Sequence, residues 1–179
     1  MIDPVIELSL CLCLALLFAG AAWHKISDRP RFEAVMRAYE LLPDSSLPVA
    51  SWLVPVAEAS IALGLSYGPA RSVAAWCAST VLLLYAGAIG VNLVRGRRDI
   101  DCGCFASSSR VPLGVGLVAR NVGLAMAAWV ASFPARPRAL VWVDWVTVGT
   151  SLIGLSLLWL VSQRLAQTGP ALKRLRGYR

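Results

Sequence analysis

Charge is scarce in this chain: of 179 residues only 15% are Asp, Glu, Lys or Arg, whereas 58% are hydrophobic. With a mean hydropathy of +0.66, that scarcity excludes an ordinary soluble domain. Histidine occurs once, and no Cys-x₂₋₄-Cys pair accompanies it, so an established zinc site is not expected. No Lys or Arg precedes Lys25, and Asp3 and Glu7 stand where a secretory signal would be basic. The first apolar run is therefore expected to stay in the membrane rather than be cleaved. Internal repeats, low-complexity tracts and domain boundaries are also lacking. The net charge of +7 is dispersed among loops with no interleaved stacking platform, which argues against nucleic acid as a partner.

Long apolar runs are what the chain does have. Five match the roughly 20 residues that cross a bilayer: 4–23, 48–67, 72–94, 112–133 and 140–161. Only helices or closed barrels satisfy every backbone group in lipid, so the expected fold is all-α. It is read as one polytopic transmembrane helical bundle over residues 1–179, with a basic tail at 164–179. Trp23, Trp52, Trp129, Trp142 and Trp159 lie near run ends, as an interfacial aromatic belt requires. Between the first two runs, Phe32, Val35, Met36, Tyr39 and Leu42 recur at helical spacing between Pro30 and Pro43. This pattern predicts a short amphipathic helix lying along the interface.

With five spans, thirteen Lys and Arg fall on one side and three on the other, Arg120 being within a span. The positive-inside rule then sets the N-terminus outside and the C-terminus in the cytoplasm, with the basic tail near anionic lipids.

Asp101-Cys102-Gly103-Cys104-Phe105 lies on a polar stretch between the third and fourth spans. A Cys-x-Cys disulfide closes a small, strained ring, and strained disulfides are the readily exchanged ones. Gly103 removes the Cβ that would hinder that closure. Cys102 and Cys104 are thus a candidate redox pair. His24 and Lys25, ending the first span on the same side, are candidates for stabilising a thiolate. Cys11, Cys13 and Cys77 read as apolar filling of helices.

Two charges fall inside spans. Glu58 and Arg120 lie about 15 and 12 Å from the same membrane face, at about 1.5 Å per residue. Intramembrane charges pair or mark function, so an ion pair is expected, with Asn92 and Asn121 as further partners. On the residues alone three chemistries stay open: thiol redox, transport through Glu58 and Arg120, and a metal scaffold around the thiols.

Arg95-Gly96-Arg97-Arg98-Asp99-Ile100 leading into Cys102-Gly103-Cys104-Phe105 resembles the signature of the MauE family of methylamine utilisation membrane proteins, grouped with DoxX-like redox-associated proteins. Lys25, Tyr39 to Pro43, Pro55 with Glu58, and Arg120-Asn121 also match; Ala106 departs from the family's usual Gly. The resemblance implies a membrane factor that helps process, export or form disulfides in the small subunit of periplasmic methylamine dehydrogenase. It further implies a periplasmic thioredoxin-like partner, and no cofactor is expected. A DoxX-like protein serving another exported client is the alternative within the same chemistry.

Overall fold

The computed structural model describes residues 2–97, 100, 113–136 and 138–176, the side chains of 159 and 162–176 excepted. Among the described residues it is an all-α bundle of six helices. They are α1 (Pro4–Ser27), α2 (Arg29–Tyr39), α3 (Leu47–Ser66), α4 (Arg71–Val94), α5 (Val115–Ala131) and α6 (Trp142–Arg176). Regions α1, α3 and α4 are long and apolar enough to cross a membrane, and Val115–Ala131 and Trp142–Leu158 are shorter apolar helices.

Local chemistry sets the ends. The Asp3 side chain accepts from the Val5 amide at 2.9 Å, and Pro4 fills the first turn of α1. Both satisfy or remove amides that a helix start leaves unpaired. This backbone hydrogen bond, together with nearby Arg138, holds the Asp3 carboxyl below its ordinary range. Asp28 both ends α1, through its amide on the His24 carbonyl, and caps α2, through its carboxylate on the Arg31 amide. Helix α2 stops at Tyr39 rather than running to Pro43, because Glu40 takes a left-handed conformation with φ of 48°. A non-glycine residue is uncommon there, and Arg97 and Arg95 hold it. Arg97 pairs with the Glu40 carboxylate at 2.6 Å, and Arg95 donates to the Glu40 carbonyl at 3.5 Å. The end of α2 is thereby tied to the end of α4.

Two antiparallel pairs form the core. In α1 against α3, Lys25 meets Glu58 while Arg29, further on, donates to Ser51, further back. In α4 against α5, Ser72 donates to the Ser132 carbonyl at 2.8 Å and Ser79 to the Ala125 carbonyl at 3.0 Å. Small side chains line these contacts: Ala15, Ala62, Ala74, Ala75, Ala78, Ala125, Ala128 and Ala131 pack around Phe18, Leu65 and Leu82. Lipid tails give helices no hydrophobic reason to associate, so close approach through small residues is what holds them. The outside is apolar instead: Leu16, Leu63, Leu84 and Leu158 are exposed, as is Trp23 at 74%. A soluble domain would bury such a surface; a membrane solvates it.

At the opposite end from Lys25, the N-terminus is stapled to the α5–α6 connection. Arg138 forks onto Asp144 at 2.8 and 3.0 Å and reaches Asp3 at 3.3 Å. Asp144, an acid early in an apolar run, is thus paired where α6 begins.

Candidate functional site

The polar centre of the bundle is built on two helical stripes. On α3 the buried positions are Leu47, Ser51, Pro55, Glu58, Ile61, Ala62 and Leu65. Glu58 occupies a place on that face where an apolar residue would be expected. On α1 the stripe runs through Cys11, Leu14, Phe18, Ala21 and Ala22 to Lys25. Helical side chains lean toward their own N-terminus. Lys25 therefore leans back into the bundle from the end of α1, and Glu58 on antiparallel α3 leans to meet it. The residues are 4% and 1% exposed.

The Lys25 ammonium donates to Glu58 Oε1. Tyr85 of α4 donates to the same oxygen at 2.6 Å, and Lys25 Nζ also lies 3.2 Å from the Tyr85 hydroxyl. The ammonium stands over two aromatic faces, 4.9 Å from the Tyr85 ring centre and 5.2 Å from that of Phe32 on α2. An ion pair at this depth is stable only when such extra partners replace water. Arg29 completes the same seam, stacking 4.9 Å from the Trp52 ring while its Nε donates to Ser51.

The other carboxylate oxygen, Glu58 Oε2, has no hydrogen-bond partner. Glu58 also lines a cavity of about 30 Å³, together with Lys25, Tyr85, Arg120 and Asn121 among apolar side chains. Depth matching thus brings Glu58 and Arg120 to one cavity, but the cation donating to the carboxylate is Lys25, and Arg120 stands on the wall. Asn121 shares that wall and donates to the Leu117 carbonyl of its own helix at 2.8 Å. Asn92, expected near the pair, is buried on α4 and donates to the Ala88 carbonyl at 3.1 Å.

Of the remaining sequence candidates, Cys102 and Cys104 lie outside the described residues. His24 is half-buried on the helix position before Lys25. Cys11 is buried in the core while Cys77 is exposed, and both are free thiols, as is Cys13. Helix α3 is continuous through Pro55, so Glu58 does not sit at the broken helix characteristic of transporters. Sequence reading missed Tyr85 and Phe32, since a Tyr or Phe on an apolar helix face carries no signal separating it from core. Lys25 did carry one: it continues the α1 stripe at three- and four-residue steps.

Comparison with known proteins bears on most of the chain. Residues 3–134 match a family profile described as "Methylamine utilisation protein MauE". The chain is 40% identical over 124 residues to "Methylamine utilization protein MauE" of Paracoccus denitrificans, covering 69% of this chain and 67% of that protein. The protein of the same description from Paracoccus versutus is 37% identical over 138 residues, covering 75% and 74%. That from Methylophilus methylotrophus is 33% identical over 164 residues, covering 89% and 85%. No solved structure matches.

Proposed function

The chain belongs to the MauE family of methylamine utilisation proteins, and on that premise we propose that it is a thiol-redox maturation factor of the cell inner membrane. Its client in this reading is the disulfide-rich small subunit of periplasmic methylamine dehydrogenase, and its redox partner a periplasmic thioredoxin-like protein. The observation that carries the reading is the Cys102-Gly103-Cys104 pair in the segment joining α4 to α5 of a membrane bundle. One thiolate of the pair attacks a sulfur of the partner's disulfide, giving a mixed disulfide and releasing the partner's other sulfur as thiolate. The second thiolate then resolves the mixed disulfide, leaving Cys102–Cys104 oxidised and the partner reduced; the reverse sequence reduces the pair. The Arg97–Glu40 contact ties the start of that segment to the end of α2, at the end of the bundle where Lys25 of α1 pairs with Glu58 of α3.

Orientation follows the distribution of Lys and Arg: N-terminus periplasmic, C-terminal tail at the cytoplasmic face against anionic lipids. With five spans this assignment puts the thiol segment at the cytoplasmic side, out of direct reach of a periplasmic partner, so the exchange written above requires the opposite orientation, a segment that re-enters the bilayer, or relay through other thiols. A membrane-impermeant maleimide applied to spheroplasts decides the matter. Cytoplasmic thiols label only after permeabilisation; labelling of Cys102 and Cys104 in intact spheroplasts reverses the assignment.

The functional test is direct. Cys102→Ser and Cys104→Ser are each expected to abolish accumulation of active methylamine dehydrogenase while the membrane protein stays abundant. Normal dehydrogenase levels in both variants would overturn the redox reading.

A further inference from the structure

A groove of about 500 Å³ lies between α1, α3 and α6. Ala15, Ala19 and Ala22 of α1 and Ala59 and Ala62 of α3 hollow it out, and α6 contributes Leu152. Ser66, its one hydroxyl, donates to the Ala62 carbonyl of its own helix at 3.0 Å. The walls therefore ask for no hydrogen bond, and what suits them is hydrocarbon. From Leu12 to Ile26 along α1 the groove runs about 21 Å, at about 1.5 Å per residue. One leaflet's chains occupy half of a hydrocarbon core about 30 Å thick, so a single acyl chain fits it lengthwise. One end carries a cation. Trp23 and Ile26 line that end, and two turns before Ala59, on the same face of α3, stands half-exposed Trp52. Arg29 lies 4.9 Å over the Trp52 ring while its Nε donates to Ser51 at 2.9 Å. These two contacts fix the guanidinium plane, and among the described residues nothing hydrogen-bonds to its two terminal nitrogens. The acids on that stretch of chain are engaged elsewhere: Asp28 accepts from the Arg31 amide and Glu33 from Arg37.

We propose that the groove is a binding site for one anionic phospholipid, its acyl chain along the alanines and its phosphate on the terminal nitrogens of Arg29. A guanidinium held in one plane presents parallel N–H donors that match two phosphate oxygens, which an ammonium does not. The charge of this end of the bundle fits the same ligand. Arg29, Arg31 and Arg37 on α2 stand with Arg95 and Arg97 at the end of α4, tied together through Glu40. Such a field favours an anionic headgroup over a zwitterionic one. The lipid touches α1, α3 and α6 at once, so it is held as a ligand and joins helices that small side chains leave apart. The site uses no cysteine and stands apart from the thiol chemistry proposed above.

Native mass spectrometry of the full chain released from detergent counts bound lipids during titration with phosphatidylglycerol or phosphatidylcholine of identical chains. The wild type is expected to retain one phosphatidylglycerol and to bind it about tenfold more tightly than phosphatidylcholine. Arg29→Gln is expected to erase that preference. Arg37→Gln removes the same charge from the same helix, at an exposed pair with Glu33, and is expected to leave the preference intact. Ala19→Phe fills the groove from an exposed position and is expected to weaken phosphatidylglycerol binding; it decides the matter if Arg29→Gln does not fold. Glycerol 3-phosphate, a headgroup without a chain, should not displace the lipid. Equal affinity of the wild type for the two lipids, equal losses from Arg29→Gln and Arg37→Gln, binding unaffected by Ala19→Phe, or displacement by glycerol 3-phosphate overturns the proposal.

Discussion

Glu58 was expected to pair with Arg120, and the cation that donates to it is Lys25. A lysine in the last turn of a helix ordinarily complements the helix dipole and faces water. Here the position continues the buried stripe of α1, so the side chain runs inward. The periodicity was legible; the choice between Lys25 and Arg120 as donor was not, because it depends on how α1 is set against α3, which no local pattern encodes. The energetic consequence is a steep one. Removing one member of a buried ion pair leaves the other uncompensated, at about 3–5 kcal/mol. Lys25→Met and Glu58→Gln are each expected to lower stability by that order, and the double variant to recover much of the loss. Thermal unfolding in detergent of the two single variants and the double one measures the coupling. Purely additive losses would mean that the pair does not hold the helices together.

Helices were the most readable level, since runs of apolar residues at membrane length have few other outcomes. The differences at their ends have local causes. Helix α5 begins at Val115 rather than 112 because Gly114 is extended, with φ of −148° and ψ of 158°. Helix α1 continues to Ser27, past Trp23, until Asp28 breaks it and caps its successor. What the runs did not reveal is which small residues make the crossings. Gly64 does so between α3 and α4: a Cβ built there would lie 2.8 Å from the Ala74 Cβ, closer than such atoms approach. Neither atom is the end of a flexible chain, so the helices themselves must move. Gly64→Ala is expected to destabilise the protein by about 1–3 kcal/mol, and Ala74→Gly in the same chain to restore part of it. The same unfolding assay checks this, and an unchanged Gly64→Ala protein would contradict the crossing as described.

For the molecule as a whole, composition sufficed for an all-α membrane protein, and the Cys-Gly-Cys signature for its family. Charge asymmetry bears on insertion, but it carries no information about the interior, where opposite charges meet at a single cavity. The central proposal is that Cys102 and Cys104 exchange disulfides with a partner. The most direct measurement is their oxidation state in membranes quenched with acid from cells growing on methylamine, then alkylated with a mass-adding maleimide under denaturing conditions. The account predicts that Cys102 and Cys104 are recovered in part as a disulfide or as a mixed disulfide with a second protein, while Cys11, Cys13 and Cys77 are alkylated in full. Complete alkylation of all five cysteines, with no oxidised fraction at Cys102 and Cys104, would contradict it.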